Sequence, residues 1–311
     1  MTSSWHGGRP PVALVGPTAS GKSAMAMVAA RAVAGTEIVV VDSMQVYRGT
    51  DIGTAKPSPD EQAEVRHHGI DLVDPGVDFS VTEVQEAADT ALATIAGRGG
   101  RALMVAGTGL YLRVVVDALD PPGQWPDVRA ELDVTSDTVA LHERLAELDP
   151  VGASRMEPTN RRRVVRALEV TVGSGRPFSS FGPGLTAYPT TDVVQLGLRW
   201  PRPMLAERIE QRFVAMLSAG LVEEVERLAA GPGGLSRTAA QALGYAELFA
   251  HLAGRVTLEE ALETAVRRTR RFARRQRSWF ARDPRISWLR GSDPVDLEAP
   301  LAAALGVDGD A

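Results

Sequence analysis

The chain has no cysteine among its 311 residues. That excludes disulfides, a thiolate zinc site and a cysteine nucleophile. Long apolar runs are missing as well: none approaches the roughly 18 residues of a membrane span. Residues Met1 to Arg9 lack the apolar core of a signal peptide. The expectation is a cytoplasmic monomer with no membrane association. Lysine is nearly absent: of 34 Lys and Arg residues, only Lys22 and Lys56 are lysine. The chain uses arginine wherever positive charge alone suffices. A lysine at position 22 therefore marks a need for a compact ammonium, which meets phosphate differently from a planar guanidinium. The net charge of −5 argues against a general nucleic-acid coat, so any polyanion must be bound by local basic clusters.

What is present is organised around Gly16-Pro17-Thr18-Ala19-Ser20-Gly21-Lys22-Ser23. It fits G-x-x-x-x-G-K-[ST], a loop whose backbone N–H groups cradle phosphate. The flanks fit too. Pro11 to Val15 is an apolar run of the kind that forms a buried parallel strand, and Ala24 to Val33 is Ala-rich and reads as a helix. Lys22 then supplies charge for the outer phosphates, and the Ser23 hydroxyl is a candidate Mg²⁺ ligand.

Glu37 to Val41 is a second strand candidate, delivering Asp42-Ser43 at its carboxyl end. Ligands of open α/β sheets bind at those ends, so Asp42 and the glycine loop are expected in one cleft; the alternative for an Asp-Ser pair is a turn or helix cap. Met44 to Pro57 reads as a long functional loop. Adjacent His67 and His68 point to opposite sides of any regular element, which disfavours a two-histidine metal site. Ser80-Val81-Thr82-Glu83 is a capping box before a helix that ends near Gly97. Ala102 to Ala106 is a third strand, followed by Gly107-Thr108-Gly109.

Residues 10–119 thus read as the first part of an α/β core with a parallel sheet flanked by helices. From 120 to 191 the strand-like runs stop and amphipathic pieces follow, at Thr138 to Leu148 and Asn160 to Val172, as expected of a helical insertion. Arg161, Arg162, Arg163 and Arg166 put four positive charges in six residues, either a solvated face or a phosphate-binding one. Residues 192–290 read as a return strand at Val193 to Leu198, one long helix from Pro203 to Ala230, and further helices. A second capping box, Thr257 to Glu260, opens a helix to about Arg282 that carries eight arginines and no acid from Arg267 onward. Residues 291–311 are weakly patterned and expected to fray.

These features leave three enzyme classes: a small-molecule kinase, a nucleic-acid-dependent ATPase, and a transferase using a diphosphate other than ATP. A motor ATPase should show a strand ending in an acidic pair, which is missing. Spacing does not separate kinase from transferase.

The motifs resemble those of the bacterial tRNA dimethylallyltransferase (tRNA isopentenyltransferase) family. They are GPTASGKS at Gly16 to Ser23, DSMQVYRGTDIGTAKP at Asp42 to Pro57, HHGIDLVDP at His67 to Pro75, GTGLYL at Gly107 to Leu112, RRVVRALEV at Arg162 to Val170, RIEQRFVAML at Arg208 to Leu217, and LGYAEL at Leu243 to Leu248. The resemblance implies a P-loop NTPase-like fold. It implies transfer of a dimethylallyl group from dimethylallyl diphosphate to N6 of the adenine immediately 3′ of the anticodon in tRNA. Gly16, Pro17, Thr18, Ala19, Ser20, Gly21, Lys22 and Ser23 would hold the diphosphate and Mg²⁺ where a kinase would hold a nucleotide. Asp42 would be the general base, with Lys22 and Arg208 (Arg212 being the alternative) stabilising the leaving group. Asp42, Ser43, Met44, Gln45, Thr108, Arg129, Arg162, Arg163, Val164, Val165 and Arg166 would contact tRNA. Arg162 stands where the family's pattern has Gln. The zinc finger of eukaryotic relatives is absent.

Overall fold

The computed structural model describes residues 8–182, 184–231, 234–290 and 295–306. The chain divides into two compact units, Met1–Ala118 with Thr190–Ala311, and Leu119–Pro189. In chain order the first unit opens with β1 (Val12–Val15), α1 (Lys22–Ala32), β2 (Thr36–Val41), α2 (Pro59–Glu64), β3 (His67–His68), α3 (Val81–Gly97), β4 (Arg101–Ala106) and α4 (Gly109–Val116). The second unit is helical: α5 (Pro126–Val134), α6 (Thr138–Leu148), α7 (Pro150–Ser154) and α8 (Arg161–Ser174). The first unit resumes with β5 (Val194–Arg199), α9 (Arg202–Ser218), α10 (Leu221–Ala230), α11 (Tyr245–Leu252), α12 (Leu258–Phe280), β6 (Ile286–Arg290) and α13 (Val295–Gly306).

The six strands form one parallel sheet in the order β3-β2-β4-β1-β5-β6. Its central strands are buried on both faces, which is why they read as unbroken apolar runs rather than alternating ones. Ala13, Val15, Val39, Val41, Met104 and Ala106 face one layer, with Leu92 and Ile95 of α3 and Leu112 of α4. Val12, Leu14, Ile38, Val40, Leu103 and Val105 face the other, against Met25 and Met27 of α1. Both capping boxes are made: Ser80 accepts from the N–H of Glu83, Thr257 from that of Glu260, and each glutamate reaches back to its cap. Val15 pairs with Ala106, and Ala106 with Val41. This register aligns the carboxyl ends of β1, β2 and β4, so the segments that follow them share one edge.

Three sequence expectations change. The single helix from Pro203 to Ala230 is two, because Gly220 adopts a left-handed φ of 96° between α9 and α10. His67 and His68, by contrast, take the hydrogen-bonding role that the sequence favours: they form a short edge strand against β2, with His68 bonded to Glu37 and His67 to the Val65 carbonyl. Ile286–Arg290 is a strand that the sequence reading missed. Within the tail expected to fray, residues 295–306 form α13, whose Leu301 and Leu305 are buried with α1 residues; residues 291–294 and 307–311 lie outside the described residues.

Candidate active site

The loop Gly16 to Ser23 joins β1 to α1. Gly21 caps α1 at φ 88°, and no side chain caps that helix. Its first N–H groups are therefore available to an anion, on the positive end of the helix dipole. The rest of the loop is fixed from outside. The Thr18 N–H donates to Gln276 Oε1 at 2.8 Å, and Gln276 Nε2 donates to the Gly107 carbonyl at 2.8 Å. Trp200 Nε1 donates to the Ser20 carbonyl at 2.9 Å. Arg208 Nε donates to the Ala19 carbonyl at 2.8 Å, its guanidinium 4.7 Å from the Trp200 ring centroid. Arg212 Nη1 donates to Thr18 Oγ1 at 3.1 Å. Both candidate arginines thus reach the loop. Lys22 Nζ folds back on the Pro17 carbonyl at 2.9 Å. The Ser20 hydroxyl is buried and without a partner among the described residues, whereas Ser23 is exposed.

Asp42 serves both of the readings open to it. Its Oδ1 accepts the N–H groups of Met44 (2.8 Å) and Gln45 (3.3 Å), an Asx turn that sets the start of the following loop. Its Oδ2 faces Gly107. A Cβ added at Gly107 would lie 3.7 Å from Asp42 Oδ2, 3.9 Å from Lys22 Nζ and 3.2 Å from Gln276 Nε2. The carboxylate, the ammonium and the amide therefore converge on a glycine, which leaves the space between them open. Burial lowers the Lys22 pKa from 10.5 to about 8; Asp42 opposes the fall and Arg212 adds to it. Arg212 is itself held below its ordinary value by burial, against the pull of Asp42. Two desolvated cations with one carboxylate between them form a site short of negative charge. Thr108 sits half-buried at the end of β4, at the N-cap of α4.

The loop after Asp42 is held by Gln45 and Lys56 of the loop itself and by Glu224, which the sequence did not single out. Gln45 Nε2 donates to the carbonyls of Thr54 (3.0 Å) and Ala55 (3.3 Å). Glu224, 1% exposed, accepts the backbone N–H groups of Asp51 (3.0 Å), Ile52 (2.8 Å) and Gly53 (3.1 Å), and the Tyr245 hydroxyl at 2.5 Å. Burial and the bond to Glu224 raise the Tyr245 pKa, so it stays a donor. Lys56 Nζ lies between Asp51 and Asp71, 2.6 Å from each, and also donates to the Tyr47 carbonyl. The second lysine is thus a structural clamp. Ser43 and Met44 are half-buried beside Asp42.

A protein-family model described as IPP transferase matches residues 45–283, well over half of the chain. The chain belongs to the IPP transferase family. It is 46% identical over 295 residues to the tRNA dimethylallyltransferase of Streptomyces coelicolor, covering 94% of each chain. It is 44% identical over 303 residues to that of Geobacter metallireducens, covering 95% and 96%. Among solved structures it is similar to the tRNA isopentenylpyrophosphate transferase of Bacillus halodurans, with TM-score 0.68, 37% identity and 96% and 97% coverage. A eukaryotic dimethylallyltransferase acting on tRNA shares the fold, with TM-score 0.79 at 24% identity, covering 95% of this chain and 77% of that one.

Within the helical unit of this IPP transferase, α8 starts at Asn160, whose side chain accepts the Arg163 N–H. Arg162 and Arg163 are exposed, and their side chains have no ion-pair or hydrogen-bond partner among the described residues. Arg161 instead donates to the carbonyls of Asp133 and Thr135. Arg166 pairs with buried Glu169 at 2.8 Å and donates to the Pro122 carbonyl. Arg129 pairs with Asp133 at 2.9 Å and approaches Glu169 at 3.7 Å. Val164 and Val165 are fully buried with Leu141, Leu145 and Leu168. Their side chains, expected at a tRNA contact, face the unit's own core instead: the valines form the inward stripe of an amphipathic helix. Among the described residues no helix is long and apolar enough to cross a membrane, and no cluster of three His, Cys, Asp or Glu residues could hold a metal ion.

Proposed function

We propose that this chain transfers a dimethylallyl group from dimethylallyl diphosphate to N6 of the adenine immediately 3′ of the anticodon in tRNA, releasing diphosphate. The observation that carries the reading is the convergence of Asp42 Oδ2, Lys22 Nζ and Gln276 around Gly107, beside the uncapped start of α1, in a chain of the IPP transferase family. An exocyclic adenine amine is a poor nucleophile because its lone pair is delocalised into the ring. As its nitrogen bonds to the allylic carbon and the carbon–oxygen bond to diphosphate breaks, Asp42 Oδ2 accepts the amine proton. Oδ1 stays fixed by Met44 and Gln45, so the base is oriented before substrate arrives. The departing diphosphate gains charge, which the α1 N–H groups, Lys22 and the loop-bound Arg208 and Arg212 stabilise.

Mg²⁺ fits this site without a carboxylate cluster. It takes few protein ligands and completes its shell with water and substrate phosphate oxygens; the exposed Ser23 hydroxyl would hold it. When bound, it neutralises part of the diphosphate charge. The adenine must leave its stack to reach Asp42. Ser43, Met44, Gln45 and Thr108 flank its path, and exposed Arg162 and Arg163 offer charge to the anticodon arm. A tRNA substrate places the enzyme in the cytoplasm.

The test is transfer of label from dimethylallyl diphosphate, with Mg²⁺, to an anticodon stem-loop bearing adenine 3′ of the anticodon. Label in that RNA, and none when the adenine is replaced by guanine, is the expected result. Transfer of an ATP γ-phosphate to a small acceptor, with no prenyl transfer, would refute it in favour of a kinase.

A further inference from the structure

The arginines of α12 do not form one uniform basic face. Arg268 is paired with Glu247 and Arg270 with Glu210. Arg267 donates to Thr264 at 2.9 Å, and Arg275 lies 5.7 Å from the Phe272 ring centroid. Arg277 is different, because its charged neighbours are other arginines. α9 and α12 share one core cluster, containing Leu205, Ile209 and Phe213 of α9 with Ala265 and Ala273 of α12. Leu205 lies one turn after Arg202, and Ala273 one turn before Arg277. This packing brings the first residue of α9 beside Arg277. Arg199, three residues earlier in the chain, ends β5, and its partner across the sheet is Arg290, the last residue of β6. Arg277 is held below its ordinary pKa by burial, then by the charges of Arg202 and Arg199.

Arg199, Arg202 and Arg290 are exposed and Arg277 is partly so. None of the four side chains has an ion-pair or hydrogen-bond partner among the described residues. Like charges gathered without counter-charge repel, and the cluster lies where α9 opens without a side-chain cap. Trp200, next to Arg199, ties this corner to the phosphate loop through the Ser20 carbonyl.

We propose that Arg199, Arg202, Arg277 and Arg290 form a second anion site, separate from the diphosphate loop, that holds backbone phosphates of the RNA substrate. Guanidinium groups meet phosphate oxygens two at a time. An exposed patch gains little from one small anion in competition with water. It gains much from a chain of phosphates that is anchored elsewhere, because each neutralised phosphate releases condensed counterions. This site rests on the tRNA reading above and extends it to a surface formed by β5, β6, α9 and α12.

The experiment is fluorescence anisotropy of a labelled anticodon stem-loop with the full chain, titrated from low to moderate salt. It compares wild type with the triple variants Arg199→Ala/Arg202→Ala/Arg277→Ala and Arg199→Lys/Arg202→Lys/Arg277→Lys. With roughly 0.7 to 0.9 slope per phosphate contact, the alanine variant should lose about 2 from the slope of log K against log salt. It should also bind at least about tenfold more weakly near physiological salt. The lysine variant should retain most of the slope, which charge requires and a packing role does not. Removing like charges should leave the thermal midpoint of the alanine variant no lower than wild type. An unchanged slope with wild-type RNA binding intact would overturn the site while leaving the proposed function standing. Loss of slope in the lysine variant too would overturn it as an electrostatic site. Failure of wild type to bind the stem-loop would refute the proposed function, and this site with it.

Discussion

Replacing Glu224 tests how the loop carrying the proposed tRNA-contacting residues is held. In Glu224→Ala, three backbone N–H groups at Asp51, Ile52 and Gly53 and the Tyr245 hydroxyl lose one shared, buried acceptor. Each buried donor left unmade costs about 1–3 kcal/mol, but water entering the vacated volume recovers part of that. The net loss should be about 3 kcal/mol, a fall in thermal midpoint of about 6–12 °C for a unit of this size. Glu224→Gln keeps the shape and one oxygen. If that oxygen stays on Asp51 and Ile52, the amide NH₂ faces the Gly53 N–H and the Tyr245 hydroxyl; the hydroxyl can turn to accept from it and the N–H cannot, so the loss should be about 1–2 kcal/mol. The same change loosens the Thr54 and Ala55 carbonyls that orient Gln45. kcat/KM for RNA should therefore fall about tenfold or more in the alanine variant at a temperature where it is fully folded, since small misplacements near the reacting atoms cost that much. KM for dimethylallyl diphosphate should move far less. Circular dichroism melting and steady-state transfer kinetics provide both readouts. An alanine variant with wild-type midpoint and wild-type kcat/KM would refute the clamp.

Three further outcomes follow from the same geometry. Lys22 has a folded pKa of about 8 against 10.5. Its lowered value means that the folded chain loses this ammonium first as pH rises, so diphosphate affinity should begin to weaken above about pH 8, approaching tenfold per unit. Calorimetric titration should find that dependence flattened in Lys22→Arg. Stability runs the other way: the penalty for burying charged Lys22 is present in full below pH 8 and relieved as pH rises from 8 to 10.5. Gln276→Ala removes the bridge between the Thr18 N–H and the Gly107 carbonyl; diphosphate affinity should fall by about tenfold, with about 1–2 kcal/mol lost in urea unfolding. Gly53→Ala puts a Cβ 2.4 Å from the Tyr245 ring, so it should lower stability by about 1–3 kcal/mol or more by overpacking, measured in the same way.

Much of the candidate site's layout was legible in the sequence because its signals are local. The apolar strand, glycine loop and helix are contiguous from Val12 to Ala32, and Asp42 follows β2 directly. What was not legible depends on contacts far apart in the chain. Gln276 meets Thr18 across 258 residues, and Glu224 meets residues 51–53 across about 170; neither carries a local pattern. Gln276 is one uncharged residue in a run of arginines, and the arginines drew attention away from it. β3 is two histidines long and polar, so it shows no strand signal. α13 carries Pro300 inside it; burial of Leu301 and Leu305 with α1 overrides its weak local pattern. The family motif on α8 spans residues 162–166, but 3.6 residues per turn divides them. Arg162 and Arg163 face solvent while Val164 and Val165 face the core.

The central claim is that Asp42 takes the proton from the adenine amine as diphosphate departs. Single-turnover transfer from labelled dimethylallyl diphosphate to the anticodon stem-loop, in wild type and Asp42→Asn, tests it most directly. Asparagine keeps an oxygen for the Met44 and Gln45 N–H groups but removes the base. The rate should fall by about 10²–10⁴, with RNA and diphosphate affinities changed by less than about tenfold. A variant that transfers label at nearly the wild-type rate would contradict the assignment.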